Sequence, residues 1–249
     1  MCIRDSLSTE TNTALTLTFA QANVAANAAK LSGDNTIVVS DTFTSAQAVT
    51  AVAIGKVDKI NATNDLITMT AADLATVIGN AGQAAKIDAS DTVSVTATTA
   101  ANTFNVSDFA ATIKLVYSAS TQAGSATFTN VGNANALDAT DTFTMGGSID
   151  VITGWSNTDV IDLSAFGLVG QSPTTQFTTN GSRVANGEFE LVKGKYDGGV
   201  FTAGNAGTDV DLLVVWDGNT TAGITQVGVV LVGTAQVPAA LTIGGTLII

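Results

Sequence analysis

Thr18-Phe-Ala-Gln21, Thr44-Ser-Ala-Gln47 and Thr70-Ala-Ala-Asp73 are three short stretches that recur along the first part of the chain. Each has the pattern of a helix start, in which a threonine caps the first turn and the residue three positions later returns the hydrogen bond. Thr44 lies 26 positions after Thr18, and Thr70 lies 26 positions after Thr44. A fixed period of this length is typical of solenoids, whose units stack to bury one continuous core.

The segments around the caps repeat as well. An alanine-rich stretch follows each cap and stops near a glycine, as at Gly55 and Gly79, which predicts a short helix. Before the caps, apolar residues alternate with threonine, as half-buried strands do. Ile60–Asp65 is echoed by Ile87–Asp91 and Leu137–Asp141. We therefore predict a β-solenoid over residues 11–140, in which each period of the repeat is one coil with one short helix.

The character of the chain changes after residue 140. Turn signals such as Gly146-Gly147 multiply, and strands are predicted at Val160–Leu163, Phe189–Lys193, Val210–Trp216 and Gln226–Val232. Asp217-Gly-Asn219 lies between the last two apolar runs and predicts that they form a hairpin. Residues 141–249 are predicted to form an antiparallel C-terminal domain of the β-sandwich or β-roll kind, so the whole fold is mainly β. Residues 1–10 begin with Met-Cys-Ile-Arg-Asp-Ser, which resembles translated adapter sequence, and we expect an artefact or a frayed start there.

Composition excludes several functions. The net charge is −12 with only 9 Lys and Arg, so we expect no nucleic-acid partner. The absence of histidine removes Ser-His-Asp triads, most zinc sites and the commonest general base, and we expect no enzyme activity. Of the 21 acidic residues, 18 are Asp, which favours turns and cation ligation over helix interiors. The sequence has no apolar run long enough to predict a membrane span.

One stretch carries a family resemblance. Asp150-Val-Ile-Thr-Gly-Trp155, followed by Asp159-Val-Ile-Asp-Leu-Ser-Ala-Phe166, resembles the end of arrays in RTX and serralysin-like proteins. The tail, from Gly207 to Asn219 and on to Gly233, looks like a type I secretion target domain. The resemblance implies an extracellular or cell-surface protein that a type I exporter recognises through its C-terminal region, with Leu241–Ile249 in the place of the uncleaved signal.

The Thr/Ala-rich repeats before that stretch look similar to those of large surface-layer or adhesin-like proteins. This second resemblance implies a structural or adhesive role, with cell-surface or matrix components as partners. Two alternatives stay open. The chain could be the tail of a secreted RTX-type enzyme whose catalytic domain lies upstream, or a phage fibre or other virion protein.

Calcium is the cofactor that the family resemblance implies. The candidate ligands are four carboxylates near predicted turns: Asp141, Asp150, Asp159 and Asp162. The family's calcium nonapeptide is not intact, since Gly146-Gly-Ser-Ile-Asp150 is one residue short and lacks the third glycine. The alternative for all four is that they cap turns or lie solvated at strand ends.

Two further groups of side chains have structural interpretations. Trp155, Phe166 and Trp216 could form a sugar platform, but core packing is the interpretation we favour. Glu188 and Glu190 are two positions apart and therefore share a strand face. We predict that this face is the exposed side of an edge strand and not a glycosidase acid pair.

Overall fold

The structure is a computed structural model that describes residues 14–24, 31, 35–129, 141–168, 170–171, 184–204, 211–218, 226–233, 241–243 and 246–248. The chain divides into two compact units. The first unit comprises residues 1–95 and 108–113, and the second comprises 96–107 and 114–249. The predicted boundary at residue 140 adjoins a stretch outside the described ranges and stays a prediction. Among the described helices, none has the length and apolarity needed to span a membrane.

The elements of the first unit alternate between strands and short helices. They are, in chain order, β1 (Leu15–Leu17), α1 (Phe19–Ala22), β2 (Ile37–Asp41), α2 (Ser45–Ala53), β3 (Lys59–Ala62), β4 (Leu66–Met69), α3 (Ala71–Gly79), a 3-10 turn (Ala84–Lys86) and β5 (Thr92–Thr96, whose last residue belongs to the second unit). The described strand pairs in this unit are parallel, β1 with β2, β2 with β3 and β4 with β5. Ile60 also forms a parallel bridge with Ile87, so the first two echoes found in the sequence lie side by side.

The three predicted helix starts are confirmed. Thr18, Thr44 and Thr70 are the N-caps of α1, α2 and α3, and each side chain accepts a hydrogen bond from the backbone N–H three residues on. At Thr18 and Thr44 the glutamine completes a reciprocal capping box. Each strand that precedes a cap buries alternate side chains, and α2 and α3 each bury a small apolar stripe, such as Leu74 and Val77 on α3, whereas α1 buries only Ala22.

Strands dominate the second unit. They are β6 (Thr103–Asn105), β7 (Thr112–Val116, which begins in the first unit), β8 (Gly124–Thr129), β9 (Thr142–Met145), β10 (Asp150–Thr153), β11 (Val160–Asp162), β12 (Gly170–Gln171), β13 (Glu188–Asp197), β14 (Val200–Ala203), β15 (Asp211–Trp216), β16 (Val227–Val232), β17 (Leu241–Ile243) and β18 (Thr246–Ile248). Two 3-10 turns, Ser120–Gln122 and Ser164–Phe166, lie between them.

Six of these strands close into an antiparallel barrel. The order runs β13, β14, β9, β8, β16 and β15, and β15 then pairs with β13 again. Beyond its short ladder with β8, β16 pairs in parallel with β10 through Val229–Val232, and β10 pairs in parallel with β6. The predicted hairpin between Val210–Trp216 and Gln226–Val232 is confirmed as the β15–β16 pair. The antiparallel C-terminal sheet is therefore confirmed, and its form is a closed barrel.

Side chains that alternate between buried and outward-facing positions along the strands build the barrel core. β8, β9 and β14 carry Thr-Phe-Thr, Thr-Phe-Thr and Val-Phe-Thr, and register places Phe128 beside Phe143 and Phe143 beside Phe201. These ring centroids are 5.0 Å and 6.5 Å apart, and all three side chains are buried. Gly194 on β13 leaves room for this layer, because a Cβ there would lie 2.6 Å from Cε1 of Phe201. The rows of threonine point outward from the same strands.

Candidate functional site

Asp150, a predicted calcium ligand, lies at the centre of a small polar network in the second unit. It begins β10 and is only 1% exposed. Its Oδ1 accepts hydrogen bonds from the backbone N–H and the side-chain Nδ2 of Asn102, both at 2.9 Å. Its Oδ2 accepts one from the Tyr117 hydroxyl at 2.8 Å. Both carboxylate oxygens therefore have protein donors.

Burial sets the protonation behaviour of this network. It raises the pKa of Asp150 above its ordinary value, although the hydrogen bonds from Asn102 and Tyr117 oppose the shift. Burial also raises the pKa of Tyr117 well above its ordinary value, and the neighbouring Asp150 charge adds to that effect. Tyr117 therefore remains a protonated donor at neutral pH. The network joins residues next to β6 and β7 to the first residue of β10.

Asp162 lies at the end of β11 in a different setting. Its Oδ2 forms an ion pair with Lys114 Nζ at 2.7 Å, and its Oδ1 accepts the Ser164 N–H at 2.9 Å. Burial works to raise the pKa of Asp162, but the hydrogen bonds from Lys114 and Ser164 outweigh it and hold the pKa below its usual value. Lys114 and Asp162 lie on adjacent parallel strands, since β7 pairs with β11.

The other two candidate ligands belong to turns and strand ends. Asp159 is 3% exposed and its Oδ2 accepts the Ser156 N–H at 2.7 Å, which closes the turn before β11. Asp141 is fully buried, and its backbone carbonyl accepts the Ala203 N–H at 2.9 Å. Within the described part of the chain, no three Asp, Glu, Cys or His side chains group in a way that could hold a metal ion. Calcium binding at these four residues stays a prediction.

Sequence reasoning missed a series of carboxylates in the first unit. Asp41, Asp58 and Asp91 accept backbone N–H groups of Phe19, Ile37 and Ala62 respectively, at distances from 2.8 to 3.2 Å. In each pair the donor lies between 21 and 29 positions earlier in the chain. The aspartate that ends each Ile–Asp echo is the signal that could have revealed Asp91.

The Asp91 turn concentrates negative charge. Asp91 is 1% exposed, and burial raises its pKa, with nearby Asp88 and Asp65 adding to the shift against the Ala62 hydrogen bond. Asp88 behaves in the opposite way, since the Ser90 N–H and Lys59 lower its pKa to about 2. Lys59 Nζ is 3.0 Å from Asp88 Oδ2. The pKa values of Asp88 and Asp91, three positions apart in one turn, are therefore shifted in opposite directions.

Trp155 and Trp216 are part of the core, as predicted, and the partly buried Phe166 packs against Trp216. Trp216 is fully buried, and its ring centroid lies 5.4 Å from Tyr117 and 5.7 Å from Phe166. Trp155 is 8% exposed, and Phe166 is partly buried. None of the three forms an open platform, and the tilted contact between Phe166 and Trp216 stabilises the side of β15 that faces away from the barrel interior.

The prediction for Glu188 and Glu190 was wrong. Glu190 is only 2% exposed and Glu188 is partly buried, so their shared face is not a solvent-exposed edge. The reason is topological. β13 lies inside the sheet, with β12 and β15 as partners at this end, and alternation alone could not show that neighbours cover it.

A hydroxyl-lined groove lies among the described residues of the second unit. Its volume is about 610 Å³. It lies beside β8, the turn between β9 and β10, and the start of β16. Its side-chain hydroxyls come from Thr99, Ser120, Thr121, Ser125, Thr127 and Ser148. The described lining contains no titratable side chain, so the groove offers no general acid or base from those residues.

Buried Gln226 holds one wall of the groove. It is 1% exposed, its Nε2 donates to the Ala126 carbonyl at 2.7 Å, and its Oε1 accepts the Val184 N–H at 3.1 Å. The Ala126 N–H in turn donates to the Gln226 carbonyl at 3.0 Å. This pair of bonds fixes β8 against the start of β16, where the two strands share only a short ladder.

Comparison of the chain with protein-family models, with curated proteins and with solved structures gives no match. Function is therefore inferred from the residues and geometry of this chain.

Proposed function

We propose that this chain is a non-catalytic structural segment of a secreted repeat protein of the surface-layer or adhesin-like kind. In this proposal the first unit is part of a solenoid, and the second unit carries the region that a type I exporter recognises. The export part rests on the resemblance of residues 138–249 to type I secretion target domains, and the solenoid part rests on contacts between successive coils.

The observation that carries the solenoid part is a ladder at the turns of the first unit. Thr63 N–H donates to the Asp41 carbonyl at 3.0 Å, and Thr92 N–H donates to the Asp65 carbonyl at 2.9 Å. Thr112 N–H continues the series by donating to the Asp91 carbonyl at 3.1 Å. Stacked turns joined in this way satisfy each coil's backbone groups through the next coil, as a quasi-one-dimensional fold requires.

The helix starts support the same proposal. The Ser45 hydroxyl, in the first turn of α2, donates to Asp73 in the first turn of α3, and it also accepts the Thr70 N–H at 3.0 Å. One helix start is thereby bonded to the start of the helix one period further on. The register of β4 with β5 has the same interval, since Leu66 pairs with Thr92, whereas the β1–β2 and β2–β3 registers are shorter, at 22 and 21 positions.

An export experiment tests the function. A host that carries a type I exporter should secrete the full chain, whereas a truncation that ends at Phe189 should stay inside the cell. A deletion of one repeat period, Thr44–Met69, from the first unit is the control, and it should still be secreted. Secretion of the C-terminal truncation at the level of the full chain would rule out the export proposal.

A further inference from the structure

We infer that the groove of the second unit binds a neutral, polyhydroxylated ligand, an uncharged polysaccharide chain. This inference goes beyond the structural role proposed above, and binding to purified protein does not depend on export. The groove is open to solvent and has a volume of about 610 Å³, which suits an extended chain lying along it better than an enclosed small molecule.

The lining selects the ligand by its chemistry. Six of the eleven described lining residues carry a hydroxyl, and none of the eleven is charged or aromatic. Each hydroxyl both donates and accepts, so it pairs best with a ligand that does the same along its length. An apolar ligand would strip water from six hydroxyls without replacing their hydrogen bonds, which is costly. An anion would meet no cation from these residues in a chain of net charge −12.

The groove is held in shape before any ligand arrives. The 3-10 turn that carries Ser120 and Thr121 is fixed by Gln122, whose Nε2 donates to the Ala97 carbonyl at 2.8 Å. The Oε1 of Gln122 accepts the N–H groups of Ser118 and Ala119 at 2.7 and 2.9 Å. Ser125 is fixed on the other side, where its carbonyl accepts the Gly146 N–H at 2.7 Å. Preorganisation of this kind lowers the ordering cost of binding.

The hydroxyl surface continues beyond the groove, which favours a polymer over a single sugar. Thr127 lines the groove and also begins a row on the outer barrel face, where it pairs with Thr144. A second row joins Thr129 to Thr142 and Thr142 to Thr202. Neighbouring strands lie about 4.8 Å apart, so each row presents hydroxyls at a regular interval along which an extended chain can run. Without an aromatic platform, binding is weak and depends on several sugar units.

Affinity electrophoresis of the purified full chain tests the inference. Native gels would contain dextran or a mixed-linkage β-glucan as neutral probes, and polygalacturonate as an acidic probe. We expect the neutral polysaccharides to retard the protein and polygalacturonate to leave its mobility unchanged. Absence of retardation by both neutral probes, or stronger retardation by polygalacturonate, would overturn the inference.

A groove-filling variant locates the binding. Gly147 lines the groove, its backbone is unstrained and a Cβ there would meet nothing within 4 Å, so Gly147→Trp adds a bulky ring at the groove at little cost to folding. Gly55→Trp is the matched control, since that glycine in the first unit is equally open. We expect only Gly147→Trp to abolish retardation. Retardation that survives in Gly147→Trp would place binding elsewhere and contradict the proposal.

A second variant keeps the test valid if the tryptophan disturbs the fold. Ser125→Ala combined with Thr127→Val removes two groove hydroxyls with little change in shape. The loss of two neutral hydrogen bonds should weaken binding roughly tenfold. Thr68→Val, at an exposed position on β4 in the first unit, is the control and should bind like the parent. Equal retardation of the double variant and the parent would count against the hydroxyls as the ligand's partners.

Discussion

The two units differ in how far along the chain their contacts reach. In the first unit, paired residues such as Leu15 and Ile37 or Leu66 and Thr92 are 22 and 26 positions apart, whereas in the second unit Gln226 bonds to Ala126, 100 positions away. The first arrangement repeats a local rule, in which a strand, a threonine cap and a short helix follow one another. The second closes a barrel around one aromatic layer and needs all six strands at once. Damage should therefore stay local in the first unit and spread through the barrel in the second.

The largest effect is expected at the centre of the barrel. Phe143→Ala removes a fully buried ring that contacts Phe128 and Phe201, and should cost about 3–5 kcal/mol of the second unit's free energy of unfolding. Both tryptophans of the chain, Trp155 and Trp216, lie in this unit, so denaturant unfolding followed by fluorescence measures the loss. The neighbouring exposed Thr144→Ala is the control and should change little. A loss below about 1 kcal/mol for Phe143→Ala would contradict the barrel core.

Calcium comes next. If one site forms in the second unit, calcium at a concentration 100 times the Kd of that site should add about 2.7 kcal/mol to the unit's free energy of unfolding. That raises the melting temperature by roughly 2–4 °C for each kcal/mol. The melting temperature of the parent should be higher in calcium than in chelator, and this difference should vanish in Asp150→Ala and Asp162→Ala. Equal stabilisation by magnesium, or a calcium response in both variants that equals that of the parent, would rule out the proposed site.

The buried network around Asp150 predicts a pH dependence. Burial raises its folded pKa, so between the unfolded and folded values the folded chain binds the proton more tightly. Stability from this group is thus present at low pH and is lost as the pH rises through the raised pKa. Asp150→Asn has no charge to bury, and its melting temperature relative to the parent should be higher at pH 7 than below pH 3.8.

A control variant separates charge from hydrogen bonding at the same position. Asp150→Ala leaves the donors of Tyr117 and Asn102 without this acceptor and should cost about 1–3 kcal/mol. Asp150→Asn keeps an acceptor, and the Tyr117 hydroxyl can accept from the new amide. A pH-independent difference between Asp150→Asn and the parent would show that the carboxylate does not titrate as proposed.

The smallest effect is expected at a helix cap of the first unit. Thr44→Ala removes the side chain that accepts the Gln47 N–H and should cost about 1 kcal/mol. Thr50→Ala is the matched control, because this threonine lies within α2 and its hydroxyl bonds to the Ala46 carbonyl. Far-ultraviolet circular dichroism during urea unfolding measures both. An effect of Thr44→Ala no larger than that of Thr50→Ala would argue against the cap as a structural repeat.

The parts of the fold that local chemistry determines could be predicted from the sequence. A capping box is written in four consecutive residues, and Thr18, Thr44 and Thr70 therefore predicted three helix starts correctly. The β15–β16 hairpin followed from two apolar runs around Asp217-Gly218. Barrel closure could not be predicted, because the Thr-Phe-Thr alternation of β8 fits any half-buried strand and does not name its partner.

The candidate site was predictable only in part. The sequence identified Asp150 as a residue of interest, but the donors that engage it, Asn102 and Tyr117, lie 48 and 33 positions away. Burial of Glu190 depends on the strands that neighbour β13, and the alternation of polar and apolar residues along β13 does not reveal it. The groove was missed because uncharged Ser and Thr side chains form no motif, and only the fold brings Thr99, Ser120 and Ser148 together.

A deletion is the sharpest test of whether the first unit is a stack of coils that repeats every 26 positions. Removing Thr44–Met69 takes out one full period and puts Thr70 in the place of Thr44, whereas removing Thr44–Lys56 takes out half of one. We expect the full-period deletion to keep a helical signal and a cooperative unfolding transition, and the half-period deletion to lose both. Circular dichroism during urea unfolding measures the two together, and equal disruption of the first unit by the two deletions would contradict the repeat.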